Sequence, residues 1–199
     1  VTDTTTRGRP QASSRETLQE AAFELFLENG YAGTTVEQIT RRAGVSRNTF
    51  FNYFTSKSDV FWIDLDATLE HLRSELRERS SAPRPVEAVR DALLAVSDEL
   101  GPLRMPWALT QYSAIGSTEE LQSAAVSRLS EHTRLVAGFI GDRLAPTTPP
   151  VLAKVAAIAA IGAAVAATQE WAAAGPTRGN LRRYLETTLE PVVAGFGSV

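Results

Sequence analysis

The chain of 199 residues has no cysteine, which excludes disulfide staples, thiol nucleophiles, Cys-ligated zinc and iron–sulfur chemistry. Its two histidines, His71 and His132, stand in no HExxH or comparable catalytic spacing. A Gly-rich phosphate loop and a G-x-S-x-G elbow are missing too, so an enzyme is not expected and no cofactor or metal is implied. Asp64, Asp66, Glu70 and His71 could be imagined around a metal, but Asp66 and Glu70, four apart, read better as a solvated helix face. An apolar leader is lacking as well: Val1 to Pro10 is polar and carries Arg7 and Arg9, so a cytoplasmic location is expected. The longest apolar run, Val155–Ala167, has 13 residues. That is short of the roughly 20 that a membrane span needs, so it reads as a buried soluble helix without a membrane partner. Net charge is only −3, from 20 basic and 23 acidic groups, which at face value argues against a nucleic-acid partner.

What is present is an ordinary globular composition, 43% hydrophobic and 22% charged, enough for one large domain or for a small domain joined to a larger one. Leu18, Ala21, Ala22, Leu25 and Phe26 recur at helical spacing, so a helix is expected over 15–28, capped at Ser13 or Ser14 and stopped by Gly30. Thr35 and Gln38 have capping-box spacing before a second helix that ends at Gly44. Ser46 caps a third, Arg47 to Tyr53. Two short helices about a glycine turn make a helix-turn-helix over about 35–54.

A long helix from Ser56/Asp59 to about Arg79 connects two parts of the chain. Further helices are expected from Pro85 to Gly101, over about 104–115, from Ser117/Glu120 to Leu144, from Val151 to about Ala174, and from about Arg178 to a kink or early end at Pro191. With no strand pattern, the fold class is all-α with about nine helices.

The string Thr34–Thr35–Val36–Glu37–Gln38–Ile39–Thr40–Arg41–Arg42–Ala43–Gly44–Val45–Ser46 continues as Arg47–Asn48–Thr49–Phe50–Phe51–Asn52–Tyr53–Phe54–Thr55–Ser56–Lys57. It resembles the DNA-binding signature of the TetR family of bacterial transcriptional regulators, with its T-T-V-x-x-I opening, A-G-V-S turn, T-x-x-x-Y-F helix and F-x-S-K exit. The organisation then expected is a flexible basic arm at 1–12, a helix-turn-helix DNA-binding domain at 13–72 and an effector-binding and dimerisation domain at 73–199. A helix-turn-helix puts the N-terminal residues of its second helix near base edges in the major groove. Here these are Arg47 and Asn48, a guanine-type and an adenine-type reader, beside the cap Ser46. The resemblance implies that Thr49, Phe51, Asn52 and Tyr53 also face DNA, and that Thr35, Tyr53 and Lys57 hold phosphates. Phe51 stands where the family commonly has tyrosine and cannot bond a phosphate, so it is either an apolar contact or core; Phe50 and Phe54 read as core.

Charge is unevenly spread. Residues 1–57 hold seven basic and six acidic groups, whereas the remainder holds 13 and 17. Residues 38–58 carry four bases and no acid, and residues 4–15 three bases and no acid. Phosphate neutralisation needs positive charge only at the contact, so these segments reopen the case for DNA. Arg7 and Arg9 suit a minor-groove arm or, alternatively, a solvated tail.

In the family the last two helices usually build the homodimer interface. The resemblance assigns that role to Ile158, Ile161 and Val165 with Leu181, Tyr184, Leu185 and Leu189. It also places an effector pocket within the fourth to eighth helices of each subunit, with Trp62, Trp107, Gln111, Tyr112, Arg128 and His132 as candidates. Arg128 and His132, four apart within an apolar arc, could bind an anionic effector or could serve a structural salt bridge to Glu131 or a neighbouring helix. For the tryptophans, core packing is the alternative. The Thr49–Phe54 stretch, Trp62 to Asp66, Arg128 and Glu131 are similar to the mycofactocin-linked subgroup, associated with long-chain acyl-CoA effectors. The expected function is a sequence-specific regulator of a palindromic double-stranded operator, a repressor released by a small apolar or acyl-type effector. The alternative is a helical interaction protein that keeps the fold without effector response.

Overall fold

Every regular element among the described residues is an α-helix. The computed structural model describes residues 14–99, 115, 118–175 and 178–197. It contains α1 (Ser14–Asn29), α2 (Val36–Ala43), α3 (Arg47–Tyr53), α4 (Lys57–Glu78), α5 (Pro85–Glu99), α6 (Glu119–Gly141), α7 (Val151–Ala173) and α8 (Leu181–Phe196). The all-helical class agrees with the sequence reading, whereas the count of nine is not matched. Eight helices lie among the described residues, and the one expected over 104–115 falls, except for Ile115, outside them. The chain forms two compact units, and the division falls between Phe61 and Trp62, within α4. The first unit takes in Ile115 and Thr118.

In the first unit α1 packs on α2 and α3. Its apolar stripe is buried as the spacing predicts, with Leu18, Ala22 and Phe26 inaccessible to solvent. Phe26, Tyr31 and Phe61 meet in tilted and edge-on pairs at 5.2 to 6.4 Å, the favourable geometry for aromatic quadrupoles. The turn after α1 is pinned from two sides. The buried Thr34 hydroxyl lies 3.0 Å from the Leu25 carbonyl and 2.9 Å from that of Gly30, and the Tyr31 amide donates to Ile115 O at 3.1 Å. Gly30 reaches φ 71°, the left-handed conformation that favours glycine.

In the second unit α5, α6, α7 and α8 share one core, joined by Leu72 and Leu76 of α4. Each fully buried leucine, such as Leu189 at 1% exposure, contributes about 1.5–3 kcal/mol relative to an exposed one.

α6 ends at Gly141 rather than at Leu144, and both boundaries of the last helix depart from the sequence reading. The last helix starts at Leu181 rather than Arg178, because Gly179 takes φ 66° and Asn180 caps the start, its side chain accepting from Arg182 N at 2.9 Å. It also runs through Pro191 to Phe196. Proline removes a single amide donor, and near the end of the helix that loss is absorbed without a break.

The apolar helix is longer than its uninterrupted run. α7 has 23 residues and holds an 18-residue stretch with a mean hydropathy of 2.0, long and apolar enough to cross a membrane by those measures alone. Ala156, Ala157, Ala160, Ile161, Ala167 and Trp171 nevertheless lie in the core, while Val151, Val155 and Ile158 are exposed.

Candidate functional site

Local chemistry builds the helix-turn-helix. Gln38 N donates to Thr35 Oγ1 at 3.2 Å and Thr35 N donates to Gln38 Oε1 at 2.7 Å, the reciprocal capping box that starts α2. Gly44 ends it at φ 67°. Ser46 Oγ then accepts from Thr49 N at 3.1 Å and lies 2.9 Å from Thr49 Oγ1, so Ser46 and Thr49 are engaged in starting α3. Phe50 and Phe54 are buried, which anchors α3 by one face. The opposite face presents Arg47, Asn48, Phe51, Asn52 and Tyr53 to solvent. Phe51 is 45% and Tyr53 48% exposed, which decides the open question for Phe51: it is a surface ring, edge-on to Phe50 at 5.3 Å. The Arg47 guanidinium covers it at 5.4 Å.

The bases of this surface are less free than an acid-free stretch of sequence suggests. Arg42 bonds Glu28 at 3.0 and 2.8 Å and Glu24 at 3.1 Å, so α1 supplies the carboxylates that the stretch 38–58 lacks. Those bonds raise the arginine pKa, and Glu28 is lowered, chiefly by its hydrogen bond to Arg42. Arg47 pairs with Glu37 at 2.9 Å, both ends being more than half exposed. Lys57, expected at a phosphate, turns inward: Nζ donates to Tyr31 O and Thr34 O, each at 2.8 Å, and lies 3.9 Å from the Tyr31 ring centre. Arg41 is exposed and, among the described residues, has no ion pair; the sequence reading counted its charge but gave it no role. Arg7 and Arg9 lie outside the described residues.

The second unit brings three of the six effector candidates together. Arg128 bonds both Asp66 oxygens, at 2.6 and 3.0 Å, and lies 6.0 Å from the ring centre of buried Trp62. Its partner is therefore on a neighbouring helix, one of the two structural outcomes left open by the sequence. His132 is buried; Nδ1 lies 2.8 Å from Arg128 O and Nε2 3.3 Å from Thr68 Oγ1. A carbonyl can only accept, so Nδ1 carries a proton. The Thr68 hydroxyl also lies 2.7 Å from Leu65 O. Burial, the largest influence, lowers the His132 pKa, opposed by the Arg128 carbonyl and by the charges of Asp66 and Glu131. Asp66 and Thr68 were missed as partners; the only sequence signal was an acid one helical turn from Trp62. No group of three metal-ligating side chains occurs among the described residues. Trp107, Gln111 and Tyr112 lie outside them.

The expected dimer residues separate into two sets. Ile161, Leu181, Leu185 and Leu189, expected at the interface, are buried within a single subunit, where the apolar repeat of α8 is used against α7 and α5. Ile158 is 61% exposed, and Val165 and Tyr184 are partly buried against the core.

Comparison with known proteins decides the family. The family model for bacterial regulatory proteins of the TetR family matches residues 18–61, and that for the MftR C-terminal domain matches residues 83–197. The chain belongs to the TetR family. This TetR-family regulator is 28% identical over 166 residues to MftR of Mycobacterium tuberculosis, named for mycofactocin biosynthesis, with 82% of each chain covered. NalD, a secondary repressor of a multidrug efflux pump in Pseudomonas aeruginosa, has the same fold, with a TM-score of 0.61 at 24% identity over 92% of this chain and 96% of that one. FadR of Thermus thermophilus, a TetR-family repressor solved with lauroyl-CoA, gives a TM-score of 0.58 at 26% identity over 91% and 94%. Membership of this family places the chain among transcriptional regulators.

Proposed function

We propose that this chain is a homodimeric repressor that binds a palindromic operator through α3 and is released by an acyl-type effector. The observation that carries the DNA side is the exposed face of α3. Its core side is locked by Phe50 and Phe54, so Arg47, Asn48, Phe51, Asn52 and Tyr53 are held outward on a capped helix. Arg47 leaves only an exposed pair with Glu37 when it reaches a base, a cost of about 0–1 kcal/mol. Two recognition helices must meet half-sites about one DNA turn apart, and the exposed apolar residues Val151, Val155 and Ile158 of α7 supply a surface for pairing two copies. The acyl-type effector is supported by the MftR-type C-terminal domain and by FadR relatives solved with lauroyl-CoA and stearoyl-CoA. α4 runs without a break from Lys57 to Glu78 and so carries residues of both units, which supports coupling of effector to DNA.

Quantitative binding to a palindrome from the protein's own upstream region, against a random duplex of equal length, tests the DNA assignment. Preference for the palindrome is expected, with Arg47→Ala altering preference at particular bases. Equal affinity for both duplexes refutes specific regulation. Release of the palindrome by lauroyl-CoA tests the effector.

A further inference from the structure

A groove of about 720 Å³ lies between the C-terminal halves of α4 and α6 in the second unit, within the size range of small-molecule sites. Its floor is apolar, formed by Leu69, Leu76, Leu135 and Phe139. Four guanidinium groups line it: Arg73 and Arg77 from α4, Arg134 from α6, and Arg143 just beyond α6. The acids on the same walls are Glu131 and Asp142, so the groove is net positive in a chain whose overall charge is −3.

The state of these arginines is informative. Arg143 is fixed, with Nη1 donating to Phe139 O at 2.7 Å, Nε donating to Ser80 O at 3.1 Å, and the guanidinium 3.8 Å from the Phe139 ring centre. Arg73 approaches a carboxylate only at 3.6 Å, that of Glu70. Among the described residues the guanidinium groups of Arg77 and Arg134 have neither an ion pair nor a hydrogen bond, and the carboxylates of Glu131 and Asp142 form no ion pair. Arg42 and Arg128, by contrast, each take a carboxylate from another helix. Four arginines against two acids leave the groove with an excess of two positive charges that an anion can neutralise, and the guanidinium fork matches phosphate oxygens two at a time. A fatty-acid carboxylate would neutralise only one charge of that excess; a pyrophosphate group can match both. The apolar floor adds room for a hydrocarbon segment.

We infer that this groove binds the phosphate-bearing end of an amphiphilic, nucleotide-type ligand, with Arg77 and Arg134 as its principal contacts and Arg143 as a fixed rim donor. The choice of coenzyme A as probe rests on the acyl-type effector reading; the phosphate site itself does not.

Calorimetric titration of the full chain with free coenzyme A, inorganic pyrophosphate and lauric acid, in the absence of DNA, tests the inference. The Arg77→Ala/Arg134→Ala double variant is compared with Arg84→Ala/Arg183→Ala, which removes two exposed arginines elsewhere in the unit, and thermal melts check that both variants fold. Coenzyme A and pyrophosphate are expected to bind wild type and the second variant, more weakly as salt rises, and to lose roughly tenfold or more in affinity in the first. Lauric acid is expected to respond alike in all three. Pyrophosphate binding that needs the groove arginines, without any response to coenzyme A or lauroyl-CoA, supports the phosphate site and refutes the acyl-CoA effector. Coenzyme A binding that is equal in wild type and the first variant overturns the groove assignment and leaves the effector reading standing. If neither phosphate compound binds, the arginines are solvated surface cations and the inference is overturned.

Discussion

Replacing Lys57 separates its two possible roles, a phosphate contact on the DNA surface or a brace within the first unit. The ammonium donates to two carbonyls at 2.8 Å and lies 3.9 Å from the Tyr31 ring centre. Hydrogen bonds to a charged group contribute about 1.5–3 kcal/mol each and an exposed cation–π contact about 0.5–1 kcal/mol, so with partial solvent access lowering the sum, Lys57→Met should cost about 2–4 kcal/mol. The methionine keeps most of the stem, so packing loss contributes little. Native-state hydrogen exchange of the α1–α3 amides measures the effect in the right unit, since both carbonyls follow α1 directly. Protection there should fall by the corresponding factor while α7 and α8 amides remain unchanged. Operator affinity, measured where the variant is still folded, should change much less than protection does. Unchanged protection of α1–α3 combined with weaker binding to every duplex would refute the bracing argument and restore Lys57 to the phosphate.

Three further outcomes are expected. The His132 pKa is lowered from 6.5 in the folded chain, so the unfolded state binds the proton first; stability of the second unit should fall as pH drops below about 6.5. His132→Gln should flatten that dependence in melts followed by near-UV circular dichroism, and an equally steep profile would sink the assignment. Asp66→Asn leaves the Arg128 side chain, 15% exposed, without its carboxylate, and should cost about 1–2 kcal/mol because Asp66 itself is half in water; urea titration reads this, and a neutral result would show the pair to be dispensable. Ile158→Asp should convert a dimer to a folded monomer by light scattering, whereas Ile161→Asp should destabilise the subunit itself. A dimer that survives Ile158→Asp argues against the α7 face.

Much of the DNA-reading element was legible because its determinants act within four residues. The Thr35–Gln38 box, the Gly44 stop, the Ser46 cap and the alternation of Phe50 and Phe54 with exposed neighbours follow from chain chemistry and helical spacing. They mark where α2 and α3 start and stop, while burial of Ile39 and Phe50 against the rest of the unit holds such short helices in place, and the family signature rests on the same residues. In the C-terminal part the spacing identified helices and their apolar faces, yet two apolar faces look alike in sequence whether they meet inside one subunit or between two. Spacing alone therefore leaves Leu181, Leu185 and Leu189 unplaced, whereas the structure puts them in the subunit core.

Charge shows the same division. The sequence by itself determined that 38–58 carries bases and no acids, and that helix one carries glutamates every fourth residue. Only the tertiary structure decided that Glu24 and Glu28 reach Arg42, that carbonyls 23 and 26 residues away hold Lys57, and that Asp66 is the partner of Arg128. Hydrogen bonding and capping are local and survive in the order of residues, whereas the partner of a long charged side chain depends on which helices pack together, information carried by the fold and not by spacing along the chain.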